Sequence, residues 1–218
     1  MNTHEIEMLA RRLLAGQMTV EEFAGQVAAP KIADVGEAQL DLDRTRRCGF
    51  PEVVFAEGKT VPAMEKIFHA LIAHGVDVLA TRVAAEQAAS LSKTFPKGVY
   101  NPVGRTFRIA REGAARGSDD AAGKVAIVTA GTSDLPVAEE ARETALWTGA
   151  EVSLIQDVGV AGPHRLAANL GPLQGADAVV VVAGMEGALP SVVGGRRVSE
   201  AFAIGYMRAL IQAVGEAR

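Results

Sequence analysis

Residues 124–134 read KVAIVTAGTSD and residues 178–188 read AVVVVAGMEGA. Each is a continuous apolar run that breaks at once into a glycine loop. A strand with one wet face alternates polar and apolar residues, whereas a run without alternation belongs to a strand covered on both faces. Between the two, Leu135 to Trp147 reads as a helix, Glu151 to Ile155 as a third strand, and His164 to Leu170 as a short helix. Strand, helix and strand in this order predict an α/β fold with a three-layer, doubly wound parallel sheet.

The first half is less regular. Ile6, Leu9, Leu13 and Leu14 recur at helical spacing until Gly16, and Thr19-Val-Glu-Glu22 has the form of a capping box opening a second helix that Pro30 ends. Glu52 to Phe55 reads as a short strand. A helix capped by Thr60, with Pro62 in its first turn, follows and runs to Gly75. Asp77 to Thr81 is a strand, Ala84 to Ser92 a helix, and Val99-Tyr100 and Phe107 to Ile109 are short strands. Residues 111–123 lose their apolar content and read as a linker. The expected organisation is a helical arm (1–30), a smaller α/β domain (31–115) and the doubly wound domain (124–218).

Composition narrows the function. The 218 residues are 49% hydrophobic and 22% charged, with a net charge of −4 and a pI near 5.6. There is no cationic excess to neutralise a phosphate backbone, which argues against nucleic acid as a partner. The longest apolar run, residues 178–185, is far short of the ~20 residues of a membrane span. The opening MNTHEIEMLARRLL is a poor signal peptide, so a cytoplasmic location and no membrane partner are expected. The single cysteine, Cys48, excludes a disulfide framework and a thiolate metal site, and no metal ligands are assigned. Cys48 is expected to pack as a small side chain.

In doubly wound sheets, ligands bind beyond the carboxyl ends of the strands. Three segments fall there. In Ala130-Gly131-Thr132-Ser133-Asp134, glycine permits close backbone approach, the two hydroxyls are donors, and the following helix start offers free amides to an anion. Asp134 suits a ribose hydroxyl; a plain helix cap by Ser133 or Asp134 is the competing reading. In Gly159-Val-Ala-Gly162-Pro-His164-Arg165, His164 can move a proton and Arg165 can fork onto phosphate; a structural or solvent-facing His164 competes. In Ala183-Gly184-Met185-Glu186-Gly187, Glu186 suits a general base or an ordinary loop acid. Glu57-Gly58-Lys59-Thr60 lacks the first glycine of a phosphate-binding Walker loop, since Val53 stands in its place; Lys59 reads as a turn residue or a contact to an acidic ligand.

Taken together, ADVGEAQLDLDRTRRCGFPEVVFAEGKT (33–60), YNPVGRT (100–106), VAIVTAGTSDLPVAEEA (125–141), DVGVAGPHRL (157–166) and VVVAGMEGALPSVV (180–193) resemble the LarB family of nickel-pincer cofactor biosynthesis. The C-terminal half is similar to the aminoimidazole ribonucleotide carboxylases. The resemblance implies carboxylation of nicotinic acid adenine dinucleotide, with carbon dioxide or bicarbonate as co-substrate and hydrolysis of the phosphoanhydride. The products are pyridinium-3,5-biscarboxylic acid mononucleotide and AMP. It implies phosphate and nucleotide binding by Gly131, Thr132, Ser133, Asp134 and Arg165, proton transfer by His164 and catalysis by Glu186. It further implies a homo-oligomer, an octamer by analogy, with no tightly bound cofactor and a divalent ion such as magnesium left open.

The family is also expected to use a C-terminal cysteine, whose thiolate adds to the electron-poor pyridinium ring and makes it nucleophilic toward carbon dioxide. This sequence has no cysteine after Glu186. The resemblance ends near Gly195, and the segment beyond it, with Phe202, Tyr206, Leu210 and Val214 four apart, reads as an amphipathic helix that does not replace a missing strand. The expectation is a truncated or frameshifted member that fails at ring carboxylation. A non-catalytic nucleotide-binding relative is the alternative, and an aminoimidazole ribonucleotide carboxylase the second.

Overall fold

The computed structural model describes residues 3–28, 32–36, 38–48, 50–110, 123–196 and 202–207. The segment read as a linker, except for Gly123, lies outside them, as do Leu210 and Val214 of the tail. Two compact units are present: Met1–Glu52 with Pro62–Asp77, and Val53–Val61 with Val78–Arg218.

The first unit holds α1 (Thr3–Leu14), α2 (Val20–Ala28), the antiparallel pair β1 (Ile32–Asp34) and β2 (Gln39–Asp41), α3 (Arg44–Cys48) and most of α4 (Val61–Ala73). The capping box of α2 forms in both directions: Glu22 N–H donates to Thr19 Oγ1 at 3.1 Å, and Thr19 N–H donates to Glu22 Oε2 at 2.8 Å. The β1–β2 hairpin has no counterpart in the sequence reading; it turns where Gly36 N–H donates to Asp34 Oδ1 at 2.7 Å. Helix α4 buries Ala63, Met64, Ile67, Phe68 and Leu71, one face at helical spacing. It stops as expected at left-handed Gly75, where Gly75 N–H reaches Ile72 O and Val76 N–H reaches Leu71 O. Cys48, expected to be packed, is exposed. It ends a five-residue helix rich in arginine and so has little apolar surface of its own to sit against.

The second unit carries two four-stranded sheets. One comprises β3 (Val53–Phe55), β4 (Val78–Thr81), β5 (Val99–Asn101) and β6 (Thr106–Ile109), in the order β3-β4-β6-β5. Its β3–β4 pair is parallel; β4–β6 and β5–β6 are antiparallel. Helix α5 (Ala85–Thr94) follows β4. The other sheet comprises β7 (Lys124–Thr129), β8 (Glu151–Ile155), β9 (Ala178–Ala183) and β10 (Phe202–Met207), all parallel, in the order β10-β9-β7-β8. Its connections carry α6 (Leu135–Thr148), α7 (Pro163–Ala168), α8 (Gly171–Gln174) and α9 (Leu189–Arg196).

Apolar packing shows why β7 and β9 do not alternate polar with apolar. Ala126, Val128, Val179, Val181 and Ala183 cluster with Leu166, Leu173, Leu189 and Val193 from α7, α8 and α9. The intervening residues Val125, Ile127, Val180 and Val182 cluster with Val137, Ala138 and Ala141 of α6. Helices therefore cover both faces. Helix α6 has Pro136 in its first turn and ends at left-handed Gly149, whose N–H and that of Ala150 reach Leu146 O and Ala145 O.

The tail corrects the sequence reading. Phe202–Met207 is a strand paired with β9 from Phe202↔Ala178 to Met207↔Ala183. Phe202 and Tyr206 are four apart, but with Ile204 between them they also keep a period of two, so the spacing does not discriminate. An unpaired edge of β9 offers a row of backbone partners, and the segment adds to it.

Ile127 is fully buried on the α6 side of the central strand. Ile127→Ala is expected to lower unfolding free energy by about 2–5 kcal/mol, read as a reduced urea midpoint with an unchanged slope.

Candidate active site at the strand tips

Strand β8 lies on one side of β7 and β9 on the other. The chain leaves β7 into α6 on one face, and leaves β9 into α9 on the opposite face. Where loops part in this way, doubly wound sheets place their ligand crevice, at the carboxyl ends of the two strands. The segments Gly131–Asp134 and Gly184–Gly187 border it.

Backbone hydrogen bonds knit the tips together. Ala130 N–H donates to Val182 O at 3.0 Å, Val158 N–H to Thr129 O at 3.0 Å, and Gly159 N–H to Ala130 O at 2.9 Å. The buried Thr129 hydroxyl accepts Asp157 N–H at 3.1 Å. A Cβ on Gly159 would stand 2.7 Å from Ala130 O, so only glycine permits this approach.

Asp134 is 4% exposed. Its Oδ2 accepts Gly131 N–H at 2.9 Å, and Oδ1 faces Gly184, where an added Cβ would lie 3.6 Å away. It closes the loop before α6 and sits against the loop after β9, an inward use that neither sequence reading described. Thr132 and Ser133 form a short 3-10 turn with Asp134 and stay exposed beside the crevice.

Arg165 lies in α7. Its Nη1 is 2.6 Å from Asp157 Oδ2, and its guanidinium folds over Gly162, where a Cβ would be 2.6 Å from Nε. Asp157 has φ 54, a left-handed conformation that costs a non-glycine residue about 1–3 kcal/mol. Asp157 was not singled out from sequence, although it stands one residue before the Val-Gly pair that marks the loop. His164 and Glu186 are both exposed. Glu186 follows Met185, which has φ 53 and a fully solvated side chain (relative exposure 102%). The structure thus bonds Asp134 to Gly131, sets Gly184 beside the Asp134 carboxylate, and ties Gly159 to Ala130. It leaves Thr132, Ser133, His164 and Glu186 on the solvent side of the tips. Among the described residues, no group of three or more His, Cys, Asp or Glu is placed to hold a metal.

A second charged cluster escaped the sequence reading. Glu140 of α6 has Oε2 2.7 Å from Arg82 Nε, both side chains 23% exposed. Burial pushes its carboxyl above the ordinary glutamate value and the charge of Glu57 adds to the rise, while Arg82 and Arg105 pull the other way. Arg82 (φ 58) and Arg105 (φ 52) are both left-handed, and Arg105 Nη2 donates to Arg82 O at 3.2 Å. The signal available in sequence was only TR (81–82), GR (104–105) and EE (139–140), too short to pair.

Residues 32–111 match the family model described as the LarB/PurE-like N-terminal domain. An uncharacterized protein of Methanocaldococcus jannaschii is 36% identical over 188 residues, an alignment spanning 82% of this chain and 72% of the relative. The chain belongs to the LarB family. That membership places it among carboxylase-related proteins, and the α/β fold with parallel strands agrees with it. Among the described residues no helix is long and apolar enough to cross a membrane.

Two outcomes are expected. Gly159→Ala forces Ala130 and the β8 tip apart and should lower stability by about 1–3 kcal/mol, seen by thermal melting. For Glu140, the folded value lies above the unfolded one, so the native state holds the proton over the interval between them. The stability it contributes is present below the ordinary glutamate value and lost as pH rises through the raised one. Wild type should therefore lose stability over that interval relative to Glu140→Gln, in urea titrations taken at successive pH values.

Proposed function

We propose that the crevice between the β7 and β9 tips binds a nucleotide, and that the family reaction it serves is carboxylation of nicotinic acid adenine dinucleotide, with cleavage of its phosphoanhydride. The observation that carries this is the close knit of three parallel strand tips at the point where the connections diverge. The Gly131–Asp134 loop leads through a 3-10 turn into α6; Asp134 and Leu135 already donate to Gly131 O and Thr132 O and Pro136 has no N–H, so the amides offered to an anion are those of Thr132 and Ser133, ahead of these bonds. Thr132 and Ser133 add hydroxyl donors there. Arg165, already oriented by Asp157, supplies a planar fork for phosphate. His164 and Glu186, exposed on neighbouring loops, are the groups available to move protons: His164 at a leaving phosphate oxygen, Glu186 at the ring or an attacking water.

The composition favours a second reading for these 218 residues. A pyridinium ring does not attack carbon dioxide until a nucleophile has added to it. The single cysteine, Cys48, belongs to the first compact unit. Nucleotide binding without ring carboxylation is the alternative for these 218 residues taken alone. The aminoimidazole carboxylase alternative is weaker, because the match over residues 32–111 covers an N-terminal domain that such a reading leaves without a role. A cytoplasmic location and a homo-oligomer complete the proposal.

Calorimetric titration with nicotinic acid adenine dinucleotide should show binding, weakened about tenfold, or about 1.4 kcal/mol, by Ser133→Ala or Arg165→Ala. Incubation of the purified chain with the dinucleotide and labelled bicarbonate should leave the ring unlabelled. Absence of binding overturns the nucleotide reading; label in the ring overturns the argument from the missing thiolate.

A further inference from the structure

Helix α6 begins directly after Asp134, whose carboxylate pins Gly131. Five residues on, about 7.5 Å along the axis, the helix is gripped from the other sheet of the same unit. A Cβ on Gly104 would lie 2.9 Å from both Glu139 C and Glu140 N, so the β5–β6 turn packs backbone to backbone on α6. Asn101 Oδ1 holds that turn by accepting the N–H groups of Val103 and Gly104, each at 3.0 Å, while its Nδ2 donates to Glu139 Oε2 at 3.0 Å and Glu143 Oε1 at 3.3 Å. Arg108 Nη1 lies 3.4 Å from Glu143 Oε2, and Arg82 Nε 2.7 Å from Glu140 Oε2.

We propose that Arg82 and Glu140, seated by the Gly104 contact, are positioning residues that fix the first turns of α6 and so set the affinity of the Gly131–Asp134 loop for nucleotide. This inference rests on the nucleotide reading given above. Arg82 and Arg105 are held left-handed at the ends of β4 and of the β5–β6 turn, and the ionised Glu140 is kept where burial disfavours it. A left-handed backbone on two arginines and a charge held against burial each carry a cost of their own. Both bring charge to one point on the helix that carries the loop.

The charged groups acting on Glu140 are Arg82 after β4, Arg105 from the β5–β6 turn and Glu57 after β3. On α6 itself, Glu139 and Glu143 are taken by Asn101, Arg108 and Arg142. Protonation of Glu140 removes the ion pair with Arg82 while relieving the cost of burying a charge. Stability and nucleotide affinity therefore move in opposite directions as pH falls, which a merely structural residue does not produce.

The test uses nicotinic acid adenine dinucleotide, whose phosphoanhydride bridge keeps both of its charges over the interval concerned. Wild-type affinity should fall about tenfold as Glu140 takes its proton. Glu140→Gln should bind about tenfold more weakly at neutral pH with a flat profile. Exchanging the pair, Arg82→Glu with Glu140→Arg, should restore part of the loss. In the free protein, hydrogen exchange at Gly131 and in the first turns of α6 should quicken about tenfold in Glu140→Gln, with the β7 and β9 amides unchanged. Arg82→Lys is the second variant if Glu140→Gln fails to fold. Unchanged exchange and affinity in these variants, with wild type binding the dinucleotide, overturns the clamp alone. No binding by wild type overturns the nucleotide reading, and with it the proposed effect on affinity, whatever the exchange shows.

Discussion

The last residue of β7 and the one that follows it hold the site together. Thr129 and Ala130 bond to both neighbouring segments: Ala130 N–H to β9, and Ala130 O to Gly159, Thr129 O to Val158 and the Thr129 hydroxyl to Asp157 in the loop after β8. A central strand in a parallel sheet has partners on both sides, so its end is the natural point from which two neighbouring loops are placed. The buried hydroxyl of Thr129 satisfies an amide that would otherwise be lost as β8 runs out, and an unsatisfied buried amide is expensive. Everything proposed for the crevice inherits its geometry from these four bonds.

The parallel sheet was legible because burial on both faces leaves an unmistakable mark. Runs such as Val179 to Val182 have no polar interruption, and glycine falls where each run ends. The helix limits were legible for the same local reason: Thr19 with Glu22, and Gly75, act within one turn of themselves. The site loops could be listed from their place after strands. What each side chain does there could not. Asp134 reads from sequence as a ligand contact or a cap; in the fold its buried carboxylate accepts Gly131 N–H and lies beside Gly184, fifty residues away in sequence, which no local pattern announces.

The missed features share a cause. The β1–β2 hairpin is three residues a side, too short for period to show. The β10 tail satisfies period two and period four together, and only the open edge of β9 decides between them. The Arg82–Glu140 pair joins residues 58 apart through a fold in which two sheets share one unit. Long-range electrostatics of this kind has no local pattern, and the left-handed backbone at Arg82 and Arg105 has none either, since arginine is not a residue from which that conformation is expected.

Met185 stands wholly in water between Gly184 and Glu186, more open than Met8, Met18 or Met64. Its thioether is thus the sulfur of these four that a diffusing peroxide meets most readily, and conversion to the sulfoxide would set a polar, chiral group at the mouth of the crevice. Because it is held by a left-handed backbone and not by packing, that chemistry would leave the core intact. Exposure to oxidant would then register on this loop before it registered on folding, and a methionine sulfoxide reductase could undo it.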